Sequence, residues 1–262
     1  TLQNRGVHLI DAEVGPLASG LEGKGRMAEP ENIVSVLQSY FEAPNNAWKG
    51  KKVLVTAGPT YEAIDPVRFI GNRSSGMMGI EICHALIEKG AEVHLVLGPT
   101  SLPVSEDVHT VRVESAQEML DACKNIFPSC DVGIFAAAVS DYRVKEIQTQ
   151  KVKKMNEEWT LDLIKNPDIL QTLSLNKQPH QKCIGFALET QNAEAYAIEK
   201  LHKKQLDAIV MNTVGENSGF QSVNNSVKIF TKNNQQFASD VRSKSDIATL
   251  LLEKLDDWKI LD

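Results

Sequence analysis

The chain has 262 residues, 42% hydrophobic and 24% charged, with a net charge of −6. That balance belongs to a globular protein of one or two domains, with a core large enough to stand without disulfides. The longest apolar run, 132–139, is far short of the roughly 18 residues a membrane span requires. The acidic excess argues against duplex nucleic acid or an anionic membrane as the main partner, so any basic site must be local.

The first forty residues differ in character from the rest. No charged segment followed by an apolar one opens the sequence, so a secretory signal is not expected, and the missing initiator Met suggests a fragment or a processed chain. A short apolar run at 7–10 leads into a loop with glycines at 15, 20, 23 and 25. Pro30 then opens a helical stretch at 31–40, with Ile33, Val34 and Leu37 on one face. One strand and one helix do not enclose a core. The polar segment APNNAWK at 43–49 reads as a linker, which divides the chain into 1–43 and 44–262.

From Lys51 onward strands and helices alternate. A strand at 53–56 is followed by a long loop and a helix at 76–89 stopped by Gly90, then by strands at 93–97 and 108–113. Ser115 caps a helix running to about residue 126, and a buried strand occupies 134–138. Strands at 182–187 and 208–212 flank a helix at 193–204, a hairpin through Asn233 and Asn234 fills 226–238, and residues 250–255 lie in a last helix. The order predicts an α/β fold: a Rossmann-like, doubly wound, mostly parallel sheet with helices on both faces, plus a small hairpin extension. Two strands end alike, in VLVTAGPT and VHLVLGPT, but Gly-Pro is a common exit turn and no internal repeat is needed.

The strongest chemical signal is AGPTYEAIDPVRFIGNRSSGMMG at 57–79, which leaves the first strand and enters the next helix, where ligands bind in open α/β sheets. Ser74, Ser75, Gly76 and Gly79 let backbone N–H groups approach a phosphate, favoured by the helix dipole. The same glycines also suit a tight turn and close packing, and spacing alone does not choose. In AAAVSDYRVKE at 136–146, small side chains at a strand end leave room for a ligand, and Asp141 either meets a metal or polar ligand or caps its own loop. Lys151, Lys153 and Lys154 lie in a polar segment that reads as a solvated surface or as a lid over a polyphosphate. Lys200 and Lys204 share a helical face and add two cations, so that five lysines are available to one polyphosphate. KNPDIL at 165–170 ends a strand and starts a helix, with Asp168 near its N-terminus, and Phe186 either stacks a base or fills the core.

An NAD-linked oxidoreductase is the enzyme rival. G-x-G-x-x-G is absent, Leu97 and Gly98 stand where an acidic ribose ligand belongs, and the Y-x-x-x-K spacing of Tyr196 and Lys200 comes too late in the chain. A non-enzymatic nucleotide-sensing module is the other rival. Cys83, Cys123, Cys130 and Cys183 show no CxxC pair, which points to buried reduced thiols in a cytoplasmic protein rather than a zinc site or a disulfide framework.

Taken together, AGPTxExIDPVRFIxNRSSGxMG, AAAVSDYR, KVKK, KNPDI and GFALET, in this order from Lys51 onward, resemble the bacterial phosphopantothenate–cysteine ligase family. The leading segment HLIDAEVGPLASGLEGKGRMAEP resembles the tail of the flavin-dependent decarboxylase that bacteria fuse ahead of this ligase. Its body is missing, so neither FMN nor decarboxylation is expected. The resemblance implies condensation of 4'-phosphopantothenate with L-cysteine, driven by CTP and Mg2+ through an acyl-cytidylate, in a cytoplasmic homodimer with a shared active site.

By that resemblance Gly58, Ser74, Gly76, Gly79, Asn166, Pro167, Asp168, Ile169, Phe186, Lys200 and Lys204 bind the nucleotide. Asn72, Ala137, Ala138 and Asp141 meet phosphopantothenate, with Asp141 also a nucleotide and Mg2+ ligand. Arg68 reaches in from the other subunit, Lys151 aids acyl-cytidylate formation, and Asn72 orients the acyl group. Met77 departs from the pattern, since many relatives carry a basic residue there.

Overall fold

The computed structural model describes residues 9–16, 22–41, 46–153, 158–189, 192–213 and 224–261. The chain divides into two compact units, Thr1–Asn46 and Ala47–Asp262. In the first, β1 (Glu13–Pro16) and β2 (Glu22–Arg26) form an antiparallel ribbon, and α1 (Pro30–Phe41) follows. Pro30 is the first helical residue, where its missing N–H leaves nothing unpaired. The strand expected at 7–10 is not observed: Leu9 and Ile10 lie outside any strand, while residues 7 and 8 fall outside the described residues. Pairing occurs later, with Gly15 opposite Gly23, in a glycine-rich stretch that apolar alternation does not reveal.

The second unit opens with β3 (Lys52–Ala57), the short antiparallel pair β4 (Tyr61–Ala63) and β5 (Phe69–Gly71), and α2 (Met77–Glu88). It continues through β6 (Glu92–Leu97), β7 (His109–Arg112), α3 (Ala116–Ile126) and β8 (Val132–Phe135). A second antiparallel pair, β9 (Tyr142–Val144) and β10 (Leu163–Lys165), precedes α4 (Ile169–Leu175). Then come β11 (Lys182–Glu189), α5 (Ala193–Lys203) and β12 (Ala208–Thr213). The unit closes with β13 (Asn224–Asn225), β14 (Val227–Thr231), β15 (Gln236–Ala238), β16 (Arg242–Ser243) and α6 (Lys244–Asp257).

Eight of these strands form one sheet in the order β15-β14-β12-β11-β8-β3-β6-β7. From β7 to β12 every neighbour is parallel, and β14 and β15 add an antiparallel edge. The fold is therefore the Rossmann-like α/β architecture read from the sequence, with the hairpin incorporated into the main sheet.

Alternation along the strands builds a core on each face. Val53, Val55, Val93, Leu95, Ala208 and Val210 pack with Ile82 and Leu86 of α2 and Ile247 and Leu251 of α6. Leu54, Val96, Ile209 and Met211 face Met119 and Cys123 of α3, Leu173 of α4 and Leu201 of α5. Ser115 caps α3 in a capping box with Glu118.

Two expectations are corrected. The stretch between the first strand and α2 is not all loop, because β4 and β5 pair within it, with Tyr61 and Phe69 stacked at 3.9 Å. The strand expected at 134–138 ends at Phe135. Beyond it the chain stays beside β3 through bonds from Ala136 N to Thr56 O and from Ala138 N to Gly58 O, and its small side chains lie at the edge of the core and line a cleft.

Candidate functional site

The parallel strands all end on one side of the sheet, and there a cleft of about 850 Å³ opens, within the range of small-molecule sites. One wall is the turn into α2. Gly76 caps that helix at φ +79°, a left-handed conformation natural to glycine. A Cβ there would also stand 3.1 Å from the backbone of Gly58. Gly58, at φ +83°, packs in turn on Gly98, where a Cβ would lie 1.8 Å from the oxygen of Pro59. The two similar strand exits thus end in glycines because their backbones touch. Gly79 lets α2 close onto β3, since a Cβ there would meet the Ala57 Cβ at 2.4 Å. Ser74 Oγ and Ser75 Oγ accept from the N–H groups of Gly76 and Met77 at 3.3 and 3.4 Å.

The floor is the segment 136–141, held by two threonines that the sequence does not single out and by two asparagines that it does. Thr60 Oγ1 accepts from Ser140 N at 2.9 Å, and Thr56 Oγ1 from Ala137 N at 3.3 Å. Asn72 donates from Nδ2 to the carbonyl oxygens of Ala138 and Val139 at 3.2 and 2.9 Å. Asn166 braces the other end: its Nδ2 donates to Ser140 O at 2.8 Å, its N–H to Asp141 O at 2.9 Å, and its Oδ1 accepts from Arg143 at 3.1 Å. Both asparagines therefore fix the shape of the floor while lining the cleft. Asp141 lines it with an exposed side chain.

The far wall is built by α4 and α5. Asp168 caps α4, accepting from Gln171 N at 2.9 Å, and its carboxylate is 2.7 Å from Lys204 Nζ. Lys204 is thus held in place by a partner that balances part of its charge. Lys200, one turn earlier on α5, lines the cleft beside it, as do Pro167, Ile169 and Phe186.

Of the residues singled out from the sequence, Asn72, Ser74, Gly76, Gly79, Ala137, Ala138, Asp141, Asn166, Pro167, Asp168, Ile169, Phe186, Lys200 and Lys204 come together around this one cleft. Gly58 is buried behind it. Arg68, Lys151 and Lys153 are not on its lining, and Lys154 lies outside the described residues. Five lysines around one polyphosphate is therefore not the arrangement within this protomer. Arg68 instead pairs with the buried Asp65, bonds to Val152 O at 3.0 Å and lies 4.5 Å over the ring of Trp159. The guanidinium holds the Asp65 carboxyl well below the usual carboxylate range, outweighing its burial.

Among the lining residues that sequence reasoning missed are three polar ones on late elements: Lys244 at the start of α6, Asn225 on β13 and Asn212 at the end of β12. No motif marks them, because β13 and β16 are two residues each and α6 reads as a plain amphipathic helix. Among the described residues no group of three His, Cys, Asp or Glu side chains is placed to hold a metal. None of the described helices is long and apolar enough to cross a membrane.

Residues 48–258 match the model of the DNA/pantothenate metabolism flavoprotein C-terminal domain. A Haemophilus influenzae protein named coenzyme A biosynthesis bifunctional protein CoaBC is 42% identical over 255 residues, covering 97% of this chain and 63% of the relative. A protein from an unknown prokaryotic organism, named cysteine/cysteine sulfinic acid decarboxylase, is 42% identical over 262 residues, covering 97% of this chain and 72% of that protein. A crystal structure of the C-terminal domain of a CoaBC protein superimposes with a TM-score of 0.71 at 39% identity, covering 83% of this chain and all of that one. The chain thus spans less than two thirds of the length of the Haemophilus relative. It belongs to the DNA/pantothenate metabolism flavoprotein C-terminal domain family.

Proposed function

We propose that the second unit is a CTP-dependent phosphopantothenate–cysteine ligase of coenzyme A biosynthesis. The observation that carries the reading is the cleft itself. It combines a glycine turn at a helix N-terminus, suited to phosphates, with a small-residue floor and two lysines on the facing wall. The bifunctional coenzyme A biosynthesis relatives, named for that pathway, support the assignment.

In this reading a carboxylate oxygen of 4'-phosphopantothenate attacks the α-phosphorus of CTP, and pyrophosphate leaves. The cysteine amine then attacks the acyl carbon, and CMP departs with the oxygen. A free carboxylate resists amine attack at neutral pH, so nucleotidyl transfer supplies the leaving group and the cleft supplies positioning. The turn at 74–79 takes the nucleotide phosphates, the floor at 137–141 with Asn72 takes the acid, and Phe186 packs against the base.

The donor set suits Mg2+ delivered with the triphosphate, because Mg2+ is commonly held by one or two carboxylates and phosphate oxygens. Asp141 is the carboxylate assigned to it, and the ion would neutralise developing phosphate charge.

Arg68 and Lys151 are assigned to the cleft of a second copy of the chain. Arg68 stands among exposed apolar side chains, Val67 at 60%, Phe69 at 50% and Trp159 at 47% exposure, which suits a partner surface. The first unit is assigned as part of a decarboxylase domain, and the unpaired thiols suit a cytoplasmic setting.

The test is release of pyrophosphate and CMP on incubation with phosphopantothenate, cysteine and each of CTP, ATP, GTP and UTP. The reading requires release that depends on phosphopantothenate and is fastest with CTP. Release of CO2 from cysteine without nucleotide consumption would replace it with the activity named for the second relative.

A further inference from the structure

Thr60 lies behind the cleft floor. It is 0% exposed and is not on the cleft lining. A buried hydroxyl needs a hydrogen-bond partner, and this one finds it in the floor: Oγ1 accepts from Ser140 N at 2.9 Å, while Thr60 N donates to Ala138 O at 3.4 Å. Pro59, one residue earlier, is bridged to Ala138 in parallel.

The bond to Ser140 N fixes more than one atom. In a trans peptide the N–H and the preceding C=O lie in one plane and point in opposite directions. Ser140 N and Val139 O belong to the same peptide unit, so pinning one aims the other. Val139 O accepts from Asn72 Nδ2 at 2.9 Å, and Ala138 O, which also accepts from Thr60 N, takes a second bond from Asn72 Nδ2 at 3.2 Å. Thr60 and Asn72 thus grip the Val139–Ser140 peptide from opposite sides, the threonine from the interior and the asparagine from the cleft.

The consequence falls on Asn72. An amide nitrogen carries two hydrogens, and both are spent on carbonyls that Thr60 locates. The plane of the Asn72 amide is therefore set, and Oδ1, an acceptor, is the atom left for a ligand. In the ligase reading only the second half-reaction brings a nucleophile with N–H groups, the cysteine amine.

We propose that Thr60 is a positioning residue for that second half-reaction: through the Val139–Ser140 peptide it aims the Asn72 amide at the attacking amine. The proposal rests on the ligase reading and adds a residue that stands outside the cleft.

The test separates the two half-reactions in the full chain carrying Thr60→Val, Thr60→Cys or Thr60→Ser. Valine keeps the shape and removes the acceptor, the thiol leaves a weak acceptor at less cost to the fold, and serine keeps the hydroxyl. Pyrophosphate release in the absence of cysteine reads the first step, and decay of the acyl-cytidylate on addition of cysteine reads the second. Displacement of a positioned group predicts a second step about 10- to 100-fold slower in Thr60→Val and Thr60→Cys. The first step stays little changed, and Thr60→Ser stays close to the parent. In the Asn72→Asp background Thr60→Val adds little further loss, because the two residues act through one peptide. No slowing, equal slowing of both steps, a loss in Thr60→Ser as large as in Thr60→Val, or full additivity with Asn72→Asp overturns the role of Thr60 in a protein that still makes product. A parent that releases no pyrophosphate with any nucleoside triphosphate overturns the ligase reading itself, and the role of Thr60 with it.

Discussion

Arg68 donates from Nη2 to the carbonyl oxygen of Val152 at 3.0 Å, and so ties the turn between β4 and β5 to the residue that follows Lys151. Asp65 completes the knot, accepting from the N–H groups of Val67, Arg68 and Val152 at 2.9, 3.0 and 3.2 Å and from the guanidinium. Lys151 is exposed, yet its backbone is anchored next door. The two residues assigned to a neighbouring cleft are therefore carried by one assembled element.

This knot has a pH signature. The Asp65 carboxyl titrates below its unfolded value in the folded chain, first because of the Arg68 bond. Its contribution to stability is complete above the unfolded carboxylate value of about 4 and declines as the pH falls below it. Asp65→Asn is expected to lower the melting temperature near neutral pH, with the gap to the parent narrowing as the pH drops below about 4. A gap of constant size across that range would show that the charge of Asp65 is irrelevant.

The proposed sharing of active sites between two copies of the chain makes a complementation experiment decisive. Arg68→Ala removes the side chain assigned to the neighbour's cleft, and Asn72→Asp sets a carboxylate against the carbonyl oxygens of Ala138 and Val139. Asn72→Asp alone is expected to release pyrophosphate but to convert the acyl-cytidylate slowly. Randomly mixed dimers of the two variants contain one intact site in each heterodimer, so about a quarter of parental turnover should return. If Arg68 served its own cleft, mixing would restore nothing.

Lys151→Gln addresses the first half-reaction. Removal of one donor to transition-state charge is expected to slow pyrophosphate release about 100-fold. Rapid-quench measurement of pyrophosphate in the absence of cysteine reads this step directly. An unchanged burst would place Lys151 outside the chemistry.

The four cysteines are expected to be inert in the folded chain. Each is buried and unpaired. Burial pushes the thiols of Cys83, Cys123 and Cys183 up to about 12 and that of Cys130 to about 11. Titration with an aromatic disulfide reagent at pH 8 should find no fast-reacting thiol until denaturant is added. A fast-reacting thiol in the native protein would contradict this.

Much of this architecture is legible in the chain. Apolar runs such as 53–56 and 93–97 mark buried parallel strands, and Ser115 with Glu118 marks a helix start, because local side chains decide both. Most lining residues of the cleft also announce themselves, since a sheet of this type collects its strand ends on one side. Hidden from the sequence are the residues whose role arises from distant pairing. Asp168 as the partner of Lys204 is one such case, and the separation of Lys151 from the cleft is another. Lys244 is the clearest: it looks like an ordinary cation ahead of an amphipathic helix, and only the side-by-side packing of α2 and α6 brings it to the site.

The most direct test of nucleotidyl transfer follows one oxygen atom. Phosphopantothenate labelled with oxygen-18 in its carboxylate is incubated with CTP, cysteine and the full chain, and the products are weighed by mass spectrometry. Attack of the carboxylate on the α-phosphorus predicts one labelled oxygen in CMP and none in pyrophosphate. Unlabelled CMP, or label released as inorganic phosphate, would contradict the acyl-cytidylate route.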